Sequence, residues 1–115
     1  MKVTRYNEAK PYEAPKHFDM RGLRLQGFND DGPSFAWAGM SHFSPGGGCE
    51  MDAGALEKIY VVLEGEITIE LGGGETHVLK RYDSCFIPSG KSRAIRNDTN
   101  EVVTMLVIMP YPEKK

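Results

Sequence analysis

From Arg21 onward the chain is a succession of short strand-length segments divided by turn-forming residues, with no long stretch carrying the period of a helix. Strands are expected at Gly22 to Gln26, Phe35 to Phe43, Ile59 to Leu71, His77 to Leu79, Ser84 to Ile87, Arg93 to Asn97 and Val102 to Met109. Turn signals separate them at Asp30-Asp31-Gly32-Pro33, Pro45 to Gly48, Gly72 to Gly74, Pro88-Ser89-Gly90 and Asn97 to Asn100. Many short strands at regular spacing indicate an all-β sandwich or barrel, and at 115 residues a small antiparallel jelly roll fits best. With 40% hydrophobic residues, a chain of this length builds one core and one domain.

The first twenty residues, with Pro11 and Pro15, show no sustained period. They are expected as an extended arm over residues 1–20, ahead of a barrel over residues 21–112 and a tail at 113–115. Gly72-Gly73-Gly74 reads as a hairpin loop, where glycine takes positive φ without a Cβ clash. Gly46 to Gly48 lack the following Gly-Lys-Ser/Thr of a phosphate loop and read as a strand corner.

Charge narrows the partners. Fourteen basic residues against sixteen acidic ones leave no cationic excess for phosphates or anionic lipid, so neither nucleic acid nor a membrane surface is expected. The apolar runs Ile59–Leu63 and Met105–Met109 are far too short to cross a bilayer, and the beginning of the chain carries no apolar signal core. A cytoplasmic location is expected, with Cys49 and Cys85 as free thiols.

Over roughly residues 35 to 110 the chain resembles the cupin superfamily, the small single-domain, RmlC-like type. Two blocks carry the resemblance. The first is the Pro45-Gly46-Gly47-Gly48 corner followed by Lys58-Ile59-Tyr60-Val61-Val62-Leu63-Glu64-Gly65; the second is the Pro88-Ser89-Gly90 turn with Asn97. The resemblance implies a β-barrel that holds a divalent metal through a His-x-His pair, a glutamate and a third histidine, donors that suit manganese, iron, nickel or zinc. Carried over position by position, the pair falls on Asp52 and Gly54, or, one residue earlier, on Met51 and Ala53. The glutamate falls on Lys58 and the last histidine on Arg93. Two cations at these positions repel a dication, so no metal and no cofactor is expected there.

Instead, Lys58 and Arg93 converge where the metal would sit and need anionic compensation. It is either internal, from Asp52, Glu50 or Glu57, or a ligand carboxylate or phosphate held by the guanidinium fork with Lys58 as a second donor. A buried lysine beside another cation has a lowered pKa, which makes Lys58 a candidate general base or Schiff-base amine. Alternation along the strands adds Tyr60 and Val62 beside Lys58, and Ile95 and Asn97 beside Arg93. Met105, Val107 and Met109 form one apolar face of the last strand and Thr104, Leu106 and Ile108 the other, while Arg24 and Gln26 are further lining candidates. His17 and His77 read as surface or edge residues, and His42 with Glu50 or Asp52 as an off-pattern metal site.

The expected function is binding of a small anionic organic molecule through Lys58, Arg93, Tyr60 and Asp52 without metal, either as a binding module or as a metal-independent lyase, isomerase or decarboxylase. A metal-dependent enzyme with displaced ligands and a non-catalytic structural or sensor-like domain are the alternatives. By resemblance, the arm joins a partner's sheet and the protein is a homodimer.

Overall fold

The structure is a computed structural model that describes residues 1–29 and 31–112; the expected tail at 113–115 and Asp30 of the first turn signal lie outside the described residues. After a 3-10 turn at Tyr6–Glu8 the chain forms β1 (Lys10–Tyr12), β2 (His17–Gln26), β3 (Trp37–Ala53), β4 (Lys58–Glu64), β5 (Ile67–Leu71), β6 (Thr76–Leu79), β7 (Ser84–Ile87), β8 (Ser92–Arg96) and β9 (Val103–Met109). Every pairing is antiparallel, in the order β6-β5-β8-β3-β9-β4-β7, with β2 also on β3 and β1 on β2. The sheet wraps into a nearly closed barrel, as expected for a small cupin-type jelly roll. Among the described residues no helix is long and apolar enough to cross a membrane.

The long strand β3 holds the two sides together. Its first half pairs with β9 and with most of β2, and its second half with β8 and the start of β2, so the chain must bend between them. The bend falls at the Pro45 to Gly48 corner, inside one continuous strand. Glycine is required there for space: a Cβ at Gly48 would lie 1.9 Å from the Ile95 carbonyl oxygen.

Two expectations change. The single strand at Ile59 to Leu71 is two strands, broken at Gly65, whose φ of +83° is a left-handed conformation that interrupts an extended run. β4 then pairs with β7 and β9, and β5 with β6 and β8. The arm is also partly built into the chain's own sheet. β2 begins at His17, and Pro11 of β1 faces Leu23 across the ladder, so the backbone groups of that segment find partners within the same chain.

One end of the barrel is packed solid. Phe43, Val62, Ile67, Val103 and Met105 are all but fully buried, each contributing about 1.5–3 kcal/mol of apolar burial. Asn97 closes this end: its amide nitrogen donates to the carbonyls of Phe43 and Glu101, and its oxygen accepts from Thr99 N and Oγ1. A buried amide with all these bonds made is a structural clasp. The other end is hollow.

Candidate functional site

The hollow end encloses a cavity of about 740 Å³, and strand alternation decides which side chains reach it. On β4, Lys58 and Tyr60 point inward with Val62 below them in the packed end; on β8, Arg93 and Ile95 point inward. Met105, Val107 and Met109 of β9 supply the apolar wall, and Trp37 and Ser41 of β3 complete the inner surface.

Lys58, Tyr60 and Arg93 are only 5%, 2% and 6% exposed, so their polar groups interact under weak screening. Arg93 Nε donates to Tyr60 Oη at 2.8 Å, which fixes the guanidinium, while Arg93 Nη1 is buried with no hydrogen-bond partner among the described residues. Burial pushes the Tyr60 hydroxyl up to about 12, so it stays protonated. Burial, then the neighbouring Arg93 charge, lowers the pKa of Lys58. Gly54 leaves the space for this ammonium: a Cβ there would come within 2.7 Å of Lys58 Nζ.

The carboxylates sit elsewhere. Asp52 lies at the cavity rim, directly across the β3–β8 ladder from Arg93, but its Oδ1 accepts from Lys16 Nζ at 2.9 Å. That hydrogen bond holds the Asp52 carboxyl below the usual range. Glu50 and Glu57 are exposed, and among the described residues no ion pair includes Lys58 or Arg93. The internal salt-bridge cluster weighed from the sequence is therefore not formed among the described residues.

The family's metal positions do not fit a divalent cation here. Of Asp52, Gly54, Lys58 and Arg93, only Asp52 offers an anionic donor, and two of the others are buried cations. The off-pattern set is not brought together either. His42 lies on the outer face of β3, where its Nδ1 meets Thr104 Oγ1 at 2.9 Å and its Nε2 meets Tyr6 Oη at 2.8 Å. Among the described residues no group of three or more His, Cys, Asp or Glu side chains is placed to hold a metal ion.

Arg24 lines the cavity as expected, but as part of an aromatic cage. Its guanidinium carbon lies 3.8 Å from the Phe28 ring centre, 4.6 Å from Tyr12 and 5.6 Å from Trp37, a stacked cation–π arrangement. Gln26 instead bonds Lys2 O and Thr4 Oγ1, tying down the first residues. Asn97, placed beside Arg93 by alternation, belongs to the packed end.

Sequence reasoning missed His17, Tyr12 and Trp37, all of which line the cavity. His17 sits inward because β2 starts five residues before the expected strand and pairs His17 with Cys49. Only the pairing of β2 with β3 reveals this: simple alternation through Phe18 and Met20 turns His17 to the opposite face, and the irregularity between Phe18 and Met20 undoes that alternation.

A family model described as cupin domain matches residues 39–109. The chain is 38% identical over 112 residues to a Mycobacterium tuberculosis protein named beta-D-galactosidase Rv1717, covering 97% of this chain and 96% of that one. Among solved structures, it is similar to the polyketide cyclase RemF from Streptomyces resistomycificus, with a TM-score of 0.85 and 21% identity over 96% of this chain and 79% of that one. An RmlC-like cupin from Shewanella frigidimarina superposes with a TM-score of 0.78 at 17% identity, over 99% of this chain and 94% of that one. At these identities the two structures speak for the fold alone.

Proposed function

The chain belongs to the cupin family, and from that premise we propose that its barrel binds a small carboxylate-bearing organic molecule at Lys58 and Arg93 without a divalent metal. One observation carries the reading. Two buried cations and the Tyr60 hydroxyl face a cavity in which the facing carboxylate, Asp52, is already engaged by Lys16, and Arg93 Nη1 has no partner. Leaving buried charge unpaired is costly, and a ligand carboxylate supplies the missing acceptor. The guanidinium fork matches a carboxylate in plane, and Lys58 adds a point charge. The apolar wall of Ile95, Met105 and Val107 then covers the rest of the ligand.

The test is thermal unfolding with a panel of organic acids in buffer containing a metal chelator. A binding acid at one hundred times its dissociation constant should stabilise the fold by about 2.7 kcal/mol, and Arg93→Met and Lys58→Met should lose most of that gain. No stabilisation by any acid, or full stabilisation in both variants, sinks the proposal.

A second reading follows from the 38% identity to the protein named beta-D-galactosidase: glycoside hydrolysis in the same cavity. That chemistry ordinarily uses two carboxyl groups about 5–9.5 Å apart, one of them protonated. Asp52 and Glu13 are the rim carboxylates, and Asp52 is held ionised by Lys16, which suits a nucleophile or base and not the acid. Release of nitrophenol from a nitrophenyl β-D-galactoside, abolished in Asp52→Asn, would favour this reading over simple acid binding.

A further inference from the structure

The inner wall of the cavity is rich in donors and poor in acceptors. Lys58, Arg93 and Arg24 can only donate, and the Tyr60 and Ser41 hydroxyls can do so as well. His17 stands out on this wall. Its Nδ1 lies 2.8 Å from the Pro15 carbonyl oxygen, which can only accept, so Nδ1 carries the hydrogen. In the neutral ring Nε2 is then a bare lone pair, and no partner for it occurs among the described residues. The imidazole is also held in orientation, lying 22° from parallel to the Phe43 ring with the centres 6.3 Å apart.

The surroundings keep this ring neutral. Burial lowers its pKa, the Pro15 hydrogen bond opposes that, and the charges of Arg93 on β8 and Lys58 on β4 lower it further. From β3 the ring is faced by Cys49, with Glu50 and Asp52 beyond it, and from its own segment by Lys16 and Glu13. Asp52 and Lys16 neutralise each other. A protonated His17 would be a fourth cation in the same cavity, beside Lys58, Arg93 and Arg24.

We propose that His17 Nε2 is the hydroxyl acceptor of this site, so that the ligand is a hydroxycarboxylic acid: its carboxylate on Arg93 and Lys58, its hydroxyl donating to His17. This rests on the carboxylate reading above and adds the second functional group that the ligand must carry. A plain carboxylate satisfies the cations but offers the imidazole lone pair no donor, whereas a hydroxyl near the carboxylate serves both. His17 is thus a specificity-determining residue, and no proton transfer is required of it.

The experiment is calorimetric titration with matched acids that differ by one hydroxyl: lactate against propionate, malate against succinate and mandelate against phenylacetate, each hydroxy acid in both hands. In the wild-type protein at least one hydroxy acid should bind about fivefold or more tightly than its deoxy counterpart, the worth of one net hydrogen bond. His17→Phe, which keeps a ring against Phe43, should erase that preference, bringing each hydroxy acid and its deoxy counterpart to equal affinity. Equal binding of every pair in the wild type, or a preference that survives in His17→Phe, overturns the assignment while leaving the anion site standing. Binding of no acid at all removes the anion site and the assignment with it. Should His17→Phe not fold, nitrogen NMR of the wild-type ring at pH 7.5 decides: hydrogen on Nδ1 and a bare Nε2 support the assignment, and hydrogen on Nε2 overturns it.

Discussion

Asp52 and Arg93 stand directly opposite each other on the β3–β8 ladder, yet the Asp52 carboxylate turns outward to Lys16 at 2.9 Å and leaves the guanidinium free for the cavity. Directly opposed side chains of opposite charge ordinarily pair. Here the segment between β1 and β2 brings a competing cation over the rim, so Lys16 holds Asp52 away from the guanidinium. Lys16→Met should release Asp52 onto Arg93 and weaken binding of an organic acid severalfold, while Asp52→Asn should leave it unchanged or tighter. Titration calorimetry on the two variants decides, and equal affinities in both would remove Lys16 from the site.

Stability and binding should move apart at Arg93. The guanidinium is buried with one nitrogen unpartnered, so replacing it with an apolar side chain of similar length removes a desolvation cost along with one hydrogen bond to Tyr60. Arg93→Met should leave the unfolding free energy in urea unchanged or higher by about 1 kcal/mol. The same variant should lose ligand-induced stabilisation. A marked loss of stability without ligand would mean that Arg93 is chiefly structural.

Ligand affinity should fail at alkaline pH earlier than an ordinary lysine would allow. Burial and the Arg93 charge hold the Lys58 pKa below its usual 10.5, and the neutral amine no longer attracts a carboxylate. Affinity should therefore decline as pH rises through that lowered value. Lys58→Arg, which keeps its charge, should extend binding upward; identical pH profiles for the two proteins would exclude Lys58 as the responsive group.

Acid should destabilise the fold through its histidines. Burial, as the leading cause, lowers the pKa of both His17 and His42 from 6.5. The unfolded chain then takes up protons before the folded one does. The stability these groups contribute is fully present above about pH 6.5 and is lost as pH falls through their folded values. Urea midpoints at pH 7.5 and 5.5 should differ, and His17→Phe should shrink the difference.

Glycines that look alike in the sequence should behave differently. A Cβ at Gly48 would meet the Ile95 carbonyl oxygen at 1.9 Å, whereas at Gly73 it would meet nothing within 4 Å. Gly48→Ala should cost about 3 kcal/mol or more and Gly73→Ala less than about 0.5 kcal/mol, both measured by urea unfolding.

The barrel and the identity of its unusual cations were legible from the residues alone. Turn residues and strand alternation are local properties, so the strand succession, the inward set Lys58, Tyr60 and Val62, and the apolar face Met105, Val107 and Met109 could all be read from spacing. Gly65 and Pro88 fixed the register that puts Lys58 and Arg93 at the positions to which the resemblance assigns metal ligands. The break at Gly65 escaped because the strand-forming residues on either side of Glu64-Gly65-Glu66 read as one segment, and a positive φ leaves no mark in the hydrophobic pattern. What those cations face depends on the packing of the folded chain. The partner of Asp52, the inward turn of His17 and the cage around Arg24 all follow from how β1 and β2 lie on the barrel, and such pairing depends on packing between residues far apart along the chain. That is why the two cations were legible before the structure, and the histidine lining the same cavity was not.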